Sequence, residues 1–269
     1  MTATRVAVCR LARVVGEPAA NRAASLAAVE RAARAGARVV VLPELAVSGY
    51  VFTDAAEARA LSEPLDGPTV TAWAEAAARH DVVLVAGTNE RAADGALRNS
   101  AVLLDASGLR AVYRKAHLWD REKLFFAPGD APPPVVDTAV GRIAVMVCYD
   151  LEFPEWVRLP ALAGAELLCA PVNWPAFPRP EGERPGEVVR VQANAMVNRL
   201  PIAVADREGP ERGVDWVGGC VVVDADGWPV SRPAGPGLFL ADLDLTTARD
   251  KALGPRNDVH ADRRPELYA

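Results

Sequence analysis

GRIAVMVCYD (141–150), FPEWVRLPALAGA (153–165) and ELLCAPVNW (166–174) follow one another along the chain. The first is an apolar, β-branched run of strand length. The second carries a helical pattern that stops at Gly164, and the third is again a short apolar run. Strand, helix, strand is the crossover that joins parallel strands, so both faces of the sheet are expected to be covered.

The same grammar extends outward in both directions. TRVAVCR (4–10) alternates like a strand. Residues 18–35 read as a helix with Leu26, Val29 and Ala33 on one face, and 38–44 (RVVVLPE) as a buried strand. Pro68 opens a second helix, 68–80, with Val70, Trp73 and Ala77 on its apolar face. Residues 82–88 form a further strand. The runs 99–105 and 109–115 flank Ala106-Ser107-Gly108, a hairpin signal. Beyond residue 174 a Pro-rich loop (175–185) leads to a helix over 186–199. PIAVADR, CVVVDADG and LFLADLD then read as strands. Crossovers mixed with hairpins predict an α/β fold of mixed sheets with helices on the outer faces. No linker divides residues 1–269, so one domain is expected, with a polar C-terminal arm from about 255 to 269.

Composition narrows the function. The chain has 269 residues, 51% hydrophobic and 24% charged, with net charge −5. An acidic chain without a basic patch is not expected to bind nucleic acid. No run is long enough to cross a membrane, and no signal-peptide pattern precedes the first strand, so a cytoplasmic protein is expected. Cys9, Cys148, Cys169 and Cys220 are scattered and read as reduced thiols. Three histidines (His80, His117, His260) are too few for a His-rich metal site. Of the 30 basic residues only Lys115, Lys123 and Lys251 are lysine.

Glu44, Lys115 and Cys148 each fall at the end of a predicted strand, where ligands bind in sheets of this kind. Alone, each reads as an ordinary loop carboxylate, solvated ammonium or buried thiol. Together they form a chemical set. A thiol becomes a nucleophile when a base takes its proton. A Glu in an apolar pocket can be that base, and an ammonium can hold a developing oxyanion. A compact ammonium also suits that task better than a planar guanidinium, which gives Lys115 a reason to survive in an arginine-rich chain.

VLPELAVSGY (41–50), YRKAHLW (113–119), FFAPG (125–129), CYDLEFPE (148–155), ALAGAELL (161–168), GGCVVVDADG (218–227) and RRPELY (263–268) occur in this order and spacing. In them the chain resembles the nitrilase, or carbon–nitrogen hydrolase, superfamily, in its aliphatic amidase-like branch. The resemblance spans essentially the whole sequence. It implies a four-layer α-β-β-α sandwich, homodimerisation and hydrolysis of a non-peptide C–N bond through a cysteine thioester, chemistry that requires neither a metal nor an organic cofactor. By it, Cys148 is the nucleophile and Glu44 the proton carrier. Lys115 and the Tyr149 backbone N–H hold the oxyanion. Glu122, four residues before the Phe of F-x-P-G, orients substrate and Lys115; beside Arg121 and Lys123 it also reads as a surface residue. His117 is expected to hold structure by hydrogen bonding. Cys9, Cys169 and Cys220 are expected to be buried and inert.

Tyr149, rather than Trp, after the nucleophile favours amides over nitriles. Tyr50, Phe52, Trp119, Glu152, Asn173 and Trp174 are expected to wall the substrate pocket. If Glu152 faces that pocket it disfavours a carboxylate and suits a neutral or amine-bearing amide, giving acid and ammonia. Glu152 also reads as a residue favoured near a helix N-terminus. An N-carbamoyl amine hydrolase and a nitrilase share the mechanism. A metal-dependent phosphoesterase of four-layer fold would instead need Asp150 and Asn173 at a Mg²⁺.

Overall fold

The computed structural model describes residues 3–268. Two sheets stack face to face. The seven-stranded sheet runs in the order Arg232–Pro233, Leu238–Leu243, Thr4–Cys9, Val39–Val41, Val83–Arg91, Leu97–Asp105, Gly108–Arg114. The five-stranded sheet runs Val221–Val223, Ile202–Ala205, Leu167–Pro171, Gly141–Val145, Val135–Thr138. Both are mixed: Thr4–Cys9, Val39–Val41 and Val83–Arg91 are parallel neighbours, as are Gly141–Val145, Leu167–Pro171 and Ile202–Ala205.

The period-two alternation of side chains builds the layers. Val6, Val8, Val39, Val41, Val83, Val85, Ala101 and Leu103 point into the space between the sheets. Their neighbours Ala7, Cys9, Val40, Leu84, Ala86, Val102 and Leu104 point outward, against helices α1 (Pro18–Arg34) and α3 (Pro68–His80). A short helix, α2 (Ala55–Ala60), lies between them in sequence. On the other side α4 (Pro154–Leu162) and α5 (Gly186–Asn198) cover the five-stranded sheet with Val157, Ala161, Val191 and Ala195. The result is an α-β-β-α sandwich. Each buried Val or Leu adds about 1.5–3 kcal/mol relative to exposure.

Several boundaries differ from the sequence reading for physical reasons. The strand expected over 38–44 is only Val39–Val41, because Pro43 cannot donate to a ladder and Leu45 takes a left-handed φ of 48°. The strand expected at 82–88 continues to Arg91, held by pairing of Arg91 with Leu97. The expected face of α1 is displaced: Asn21, Ser25, Ala28, Val29 and Ala32 are its buried residues, while Leu26 and Ala33 are half-buried. Apolar counting overlooked the two polar ones. Ser25 Oγ accepts from Trp73 Nε1 at 2.9 Å, and Asn21 Nδ2 donates to the Val14 and Val47 carbonyls. Past residue 250 the chain forms a small exposed hairpin, Ala252–Gly254 with Asn257–Asp258, then a 3₁₀ turn at Pro265–Leu267. Residue 269, the last of the expected arm, lies outside the described residues.

Candidate active site

Glu44 stands three residues beyond Val41, Lys115 directly after Arg114, and Cys148 three beyond Val145. The carboxyl ends of the two sheets meet there: Glu44 N–H donates to the Val172 carbonyl at 3.4 Å, just past Leu167–Pro171. All three side chains are buried.

Close approach needs room, and two glycines supply it. A Cβ on Gly87 would lie 2.4 Å from Glu44 Cα. A Cβ on Gly129, the last residue of FFAPG, would lie 2.1 Å from the Arg114 carbonyl oxygen, and its N–H donates to the Lys115 carbonyl at 2.8 Å. Gly129 closes the F-x-P-G pattern, and Gly87 interrupts a strand, a usual sign of close backbone approach.

The Lys115 ammonium donates to Glu44 Oε1 at 2.8 Å and to Glu122 Oε1 at 2.7 Å. Glu122 is thus a buried partner of Lys115, and the surface reading of it is overturned. Its carboxylate also accepts from the Tyr50 hydroxyl on Oε1 and from Trp119 N–H on Oε2 at 3.1 Å. Glu44 Oε1 further accepts from Asn99 Nδ2 at 2.7 Å, whereas Glu44 Oε2 is buried with no hydrogen-bond partner. Unpaired buried oxygens are costly and uncommon, and they mark places where function overrides stability. Arg13 and Asn173 Nδ2 both donate to the Glu44 carbonyl, at 2.7 and 3.0 Å, and pin its backbone.

Burial raises the Glu44 carboxyl to about 7; Lys115 opposes the rise and Glu122 adds to it. Burial alone would lower Lys115, but Glu122 and Glu44 hold it well above its ordinary value, so it remains an ammonium. Burial and the Glu44 charge push the Cys148 thiol up, against Lys115, so the resting thiol keeps its proton. A carboxylate poised near neutrality beside a protonated thiol and a fixed cation is equipped for proton transfer.

Cys148 itself takes a left-handed φ of 47°, a sparsely populated state for a side chain with a Cβ. It opens the 3₁₀ turn Cys148–Glu152, whose early N–H groups, that of Tyr149 included, have no acceptor within the turn. Asp150 braces the turn. Its Oδ1 faces His117 Nδ1 at 2.7 Å and accepts from His117 N–H, and its Oδ2 accepts from the Tyr113 hydroxyl at 2.8 Å. Trp156 Nε1 donates in turn to Tyr113. The turn carrying Cys148 is thereby tied to the strand end carrying Lys115, with His117 in the hydrogen-bonding place expected of it.

The other pocket candidates divide. Trp119, Glu152 and Trp174 line a small cavity of about 30 Å³ at Cys148, with Glu187 and the exposed Phe177. Tyr50 and Phe52 line an adjoining cavity of about 330 Å³ that shares Trp119 and Phe177. Asn173 contributes its backbone: its carbonyl faces Cys148 Sγ at 3.7 Å, while its side chain is taken by Arg13 and the Glu44 carbonyl. Glu152 reaches the cavity but pairs with Arg190 at 2.7 Å. Burial raises its carboxyl, Arg190 opposes this, and Glu187 adds to it. Cys9 and Cys169 are buried thiols raised by burial. Cys220 is half-buried and lies just before Val221–Val223, its Sγ accepting from Asp206 N–H at 3.1 Å. Among the described residues no group of three His, Cys, Asp or Glu is placed to hold a metal ion. Asp150 and Asn173 are engaged as described.

Comparison with known proteins bears on this arrangement. The profile of the carbon-nitrogen hydrolase family matches residues 5–252. A nitrilase of Pyrococcus abyssi is 34% identical over 269 residues, covering 98% of each chain. The crystal structure of an amidase from Nesterenkonia sp. superposes with a TM-score of 0.81 at 29% identity, over 99% of this chain and 95% of that one. A Glu→Gln mutant of that amidase, also at TM-score 0.81 and 29% identity over 99% and 96% of the two chains, shows covalent addition of the acetamide moiety of fluoroacetamide at its active-site cysteine.

Proposed function

We propose, for a chain that belongs to the carbon–nitrogen hydrolase family, the hydrolysis of a small neutral or amine-bearing amide to a carboxylic acid. Cys148 Sγ attacks the carbonyl carbon while Glu44 Oε2 takes its proton. Lys115 Nζ and the Tyr149 N–H stabilise the tetrahedral oxyanion. Glu44 then gives the proton to the departing nitrogen, and the acyl group remains on Cys148 as a thioester. With Glu44 again ionised, it deprotonates water, which attacks the thioester; the S–C bond breaks, the acid leaves, and Glu44 returns the proton to Cys148 Sγ. Glu122 fixes Lys115 and offers an acceptor to the substrate nitrogen. The observation that carries this reading is the unpartnered Glu44 Oε2 in a carboxyl whose other oxygen is tied to Lys115 and Asn99.

For the substrate, the Glu152–Arg190 pair weakens a repulsion argument based on Glu152 alone, but Glu187 leaves the rim of the cysteine cavity acidic. That supports a neutral or amine-bearing acyl group. Ammonia release from acetamide, β-alaninamide, succinamate and N-carbamoyl putrescine, run with wild type and Cys148→Ala, tests the reading. Wild-type turnover of acetamide and β-alaninamide, lost in Cys148→Ala, is expected. Undiminished turnover by Cys148→Ala refutes it.

The unit that does this work is one domain that pairs as a homodimer in the cytoplasm. Support comes from exposed Leu159 and Leu162 on α4, and from Val189, Met196 and Val197 on α5, an apolar face in want of a partner. The arm beyond about residue 255 carries exposed Leu267 and Tyr268, which suit the same interface. Four free cysteines fit a reducing compartment. Among the described residues no helix is long and apolar enough to cross a membrane.

A further inference from the structure

Two cavities of very different size meet at Trp119, Pro175 and Phe177. The one that holds Cys148 is only about 30 Å³, room for about two waters, and its rim carries Glu152 and Glu187. The other is about 330 Å³. Its walls are Tyr50, Phe52, Phe125, Phe126 and Trp216, with Val214 at one side, and Glu122 is its buried acid. Tyr50 and Trp216 meet edge to face at 5.3 Å, and Phe52 packs edge to face on both Phe125 and Phe126. Trp216 Nε1 is buried without an acceptor.

A primary amide has a substituent on one side of its carbonyl only, so one cavity would serve it. Resting on the mechanism proposed above, the leaving nitrogen lies by Glu44 Oε2 and Glu122. Glu122 already accepts twice on Oε1 and once on Oε2, which leaves Oε2 one lone pair. A secondary amide has one N–H to fill it, and its N-substituent then extends into the cavity that Glu122 walls. We propose that the preferred substrates are secondary amides whose leaving amine carries an apolar group of about benzyl size, seated among Tyr50, Phe52, Phe126 and Trp216. The acyl part stays small, in the cysteine cavity. The bookkeeping is that of the ordinary reaction. The S–C bond forms, the C–N bond breaks, and the thiol proton passes through Glu44 to the departing amine; water then cleaves the S–C bond, giving the acid and, through Glu44, restoring the thiol.

Two series of amides test this. In one, acetamide is lengthened on the acyl side to hexanamide, with ammonia as readout. In the other, the acetyl group is kept and the nitrogen carries propyl, pentyl or benzyl, with the free amine as readout. Expected is a rise in kcat/KM along the N-substituted series of about fourfold per methylene that enters the cavity. The acyl series should gain nothing beyond butyramide. Hydrolysis of acetamide with none of its N-substituted forms overturns the inference and leaves the amide reading intact. So does a rise confined to the acyl series. No turnover in either series overturns the amide reading itself. Val214→Trp, which fills the cavity, should lower the ratio of N-benzylacetamide to acetamide kcat/KM at least tenfold; Val214→Leu, a milder filling, should lower it less. An unchanged ratio in a folded variant overturns the inference.

Discussion

Lowering the pH should switch the enzyme off near neutrality, and the position of that limb reads the environment of Glu44. As the proposed proton acceptor Glu44 has to be ionised, so the rate should fall as pH drops through its pKa. Burial sets that pKa at about 7, above the usual carboxylate value. With a value near 7, the ionised fraction goes from ~90% at pH 8 to ~10% at pH 6, so kcat/KM falls about tenfold over that interval. With an unperturbed carboxyl near pH 4.5 it would fall by only a few per cent over the same range. Glu122 adds to the rise, so Glu122→Gln removes a negative charge and the limb moves to lower pH. Initial rates of acetamide hydrolysis from pH 4 to 9, taken well below KM, measure both effects. A wild-type limb near pH 4.5, or an upward shift in Glu122→Gln, would refute the assignment of Glu44 as a buried, Glu122-coupled base.

Three further outcomes follow from the geometry. Gly87→Ala forces a methyl against the Glu44 backbone and should cost about 2 kcal/mol or more in chemical denaturation, with activity falling alongside. Lys115→Arg keeps the charge but places a wider, planar group between Glu44 and Glu122; a loss of at least about 10²-fold in kcat is expected, and near-wild-type turnover would show that a point charge is not needed. Asp150→Ala unties the Cys148 turn from His117 and Tyr113, so both kcat and the midpoint of thermal unfolding should drop, by about 1–3 kcal/mol in stability for the orphaned partners.

The layers were legible because short apolar runs alternate with helical patterns, so strands and covering helices could be told apart. Val39–Val41 is apolar throughout, as a strand buried on both faces reads, and which of its side chains turn toward the other sheet is set by the pleat and not by the pattern. The meeting of Glu44 and Lys115 near Cys148 was legible because each ends a strand run, and that of Glu122 with Lys115 through the family resemblance around F-x-P-G. What could not be read were contacts between distant segments. Asn99 becomes the partner of Glu44 through a pairing 55 residues apart, and Arg13 reaches the Glu44 carbonyl from a loop after the first strand. Asn99, Asn21 and Ser25 did leave a trace, as polar residues within apolar patterns, and buried polar groups require partners. Glu152 shows the converse. Its place at the pocket was anticipated, but its charge is balanced by Arg190, 38 positions on, and no local pattern announces that pairing.

In the proposed mechanism everything turns on an acyl group carried by Cys148. Acid-quenching the enzyme during steady-state turnover of a slowly deacylated amide, followed by intact-mass and peptide analysis, tests it most directly. A mass increase of one acyl group is expected, confined to the peptide containing Cys148 and absent from Cys148→Ala. An acyl group on Cys9, Cys169 or Cys220 instead, or continued turnover by Cys148→Ala, would contradict it.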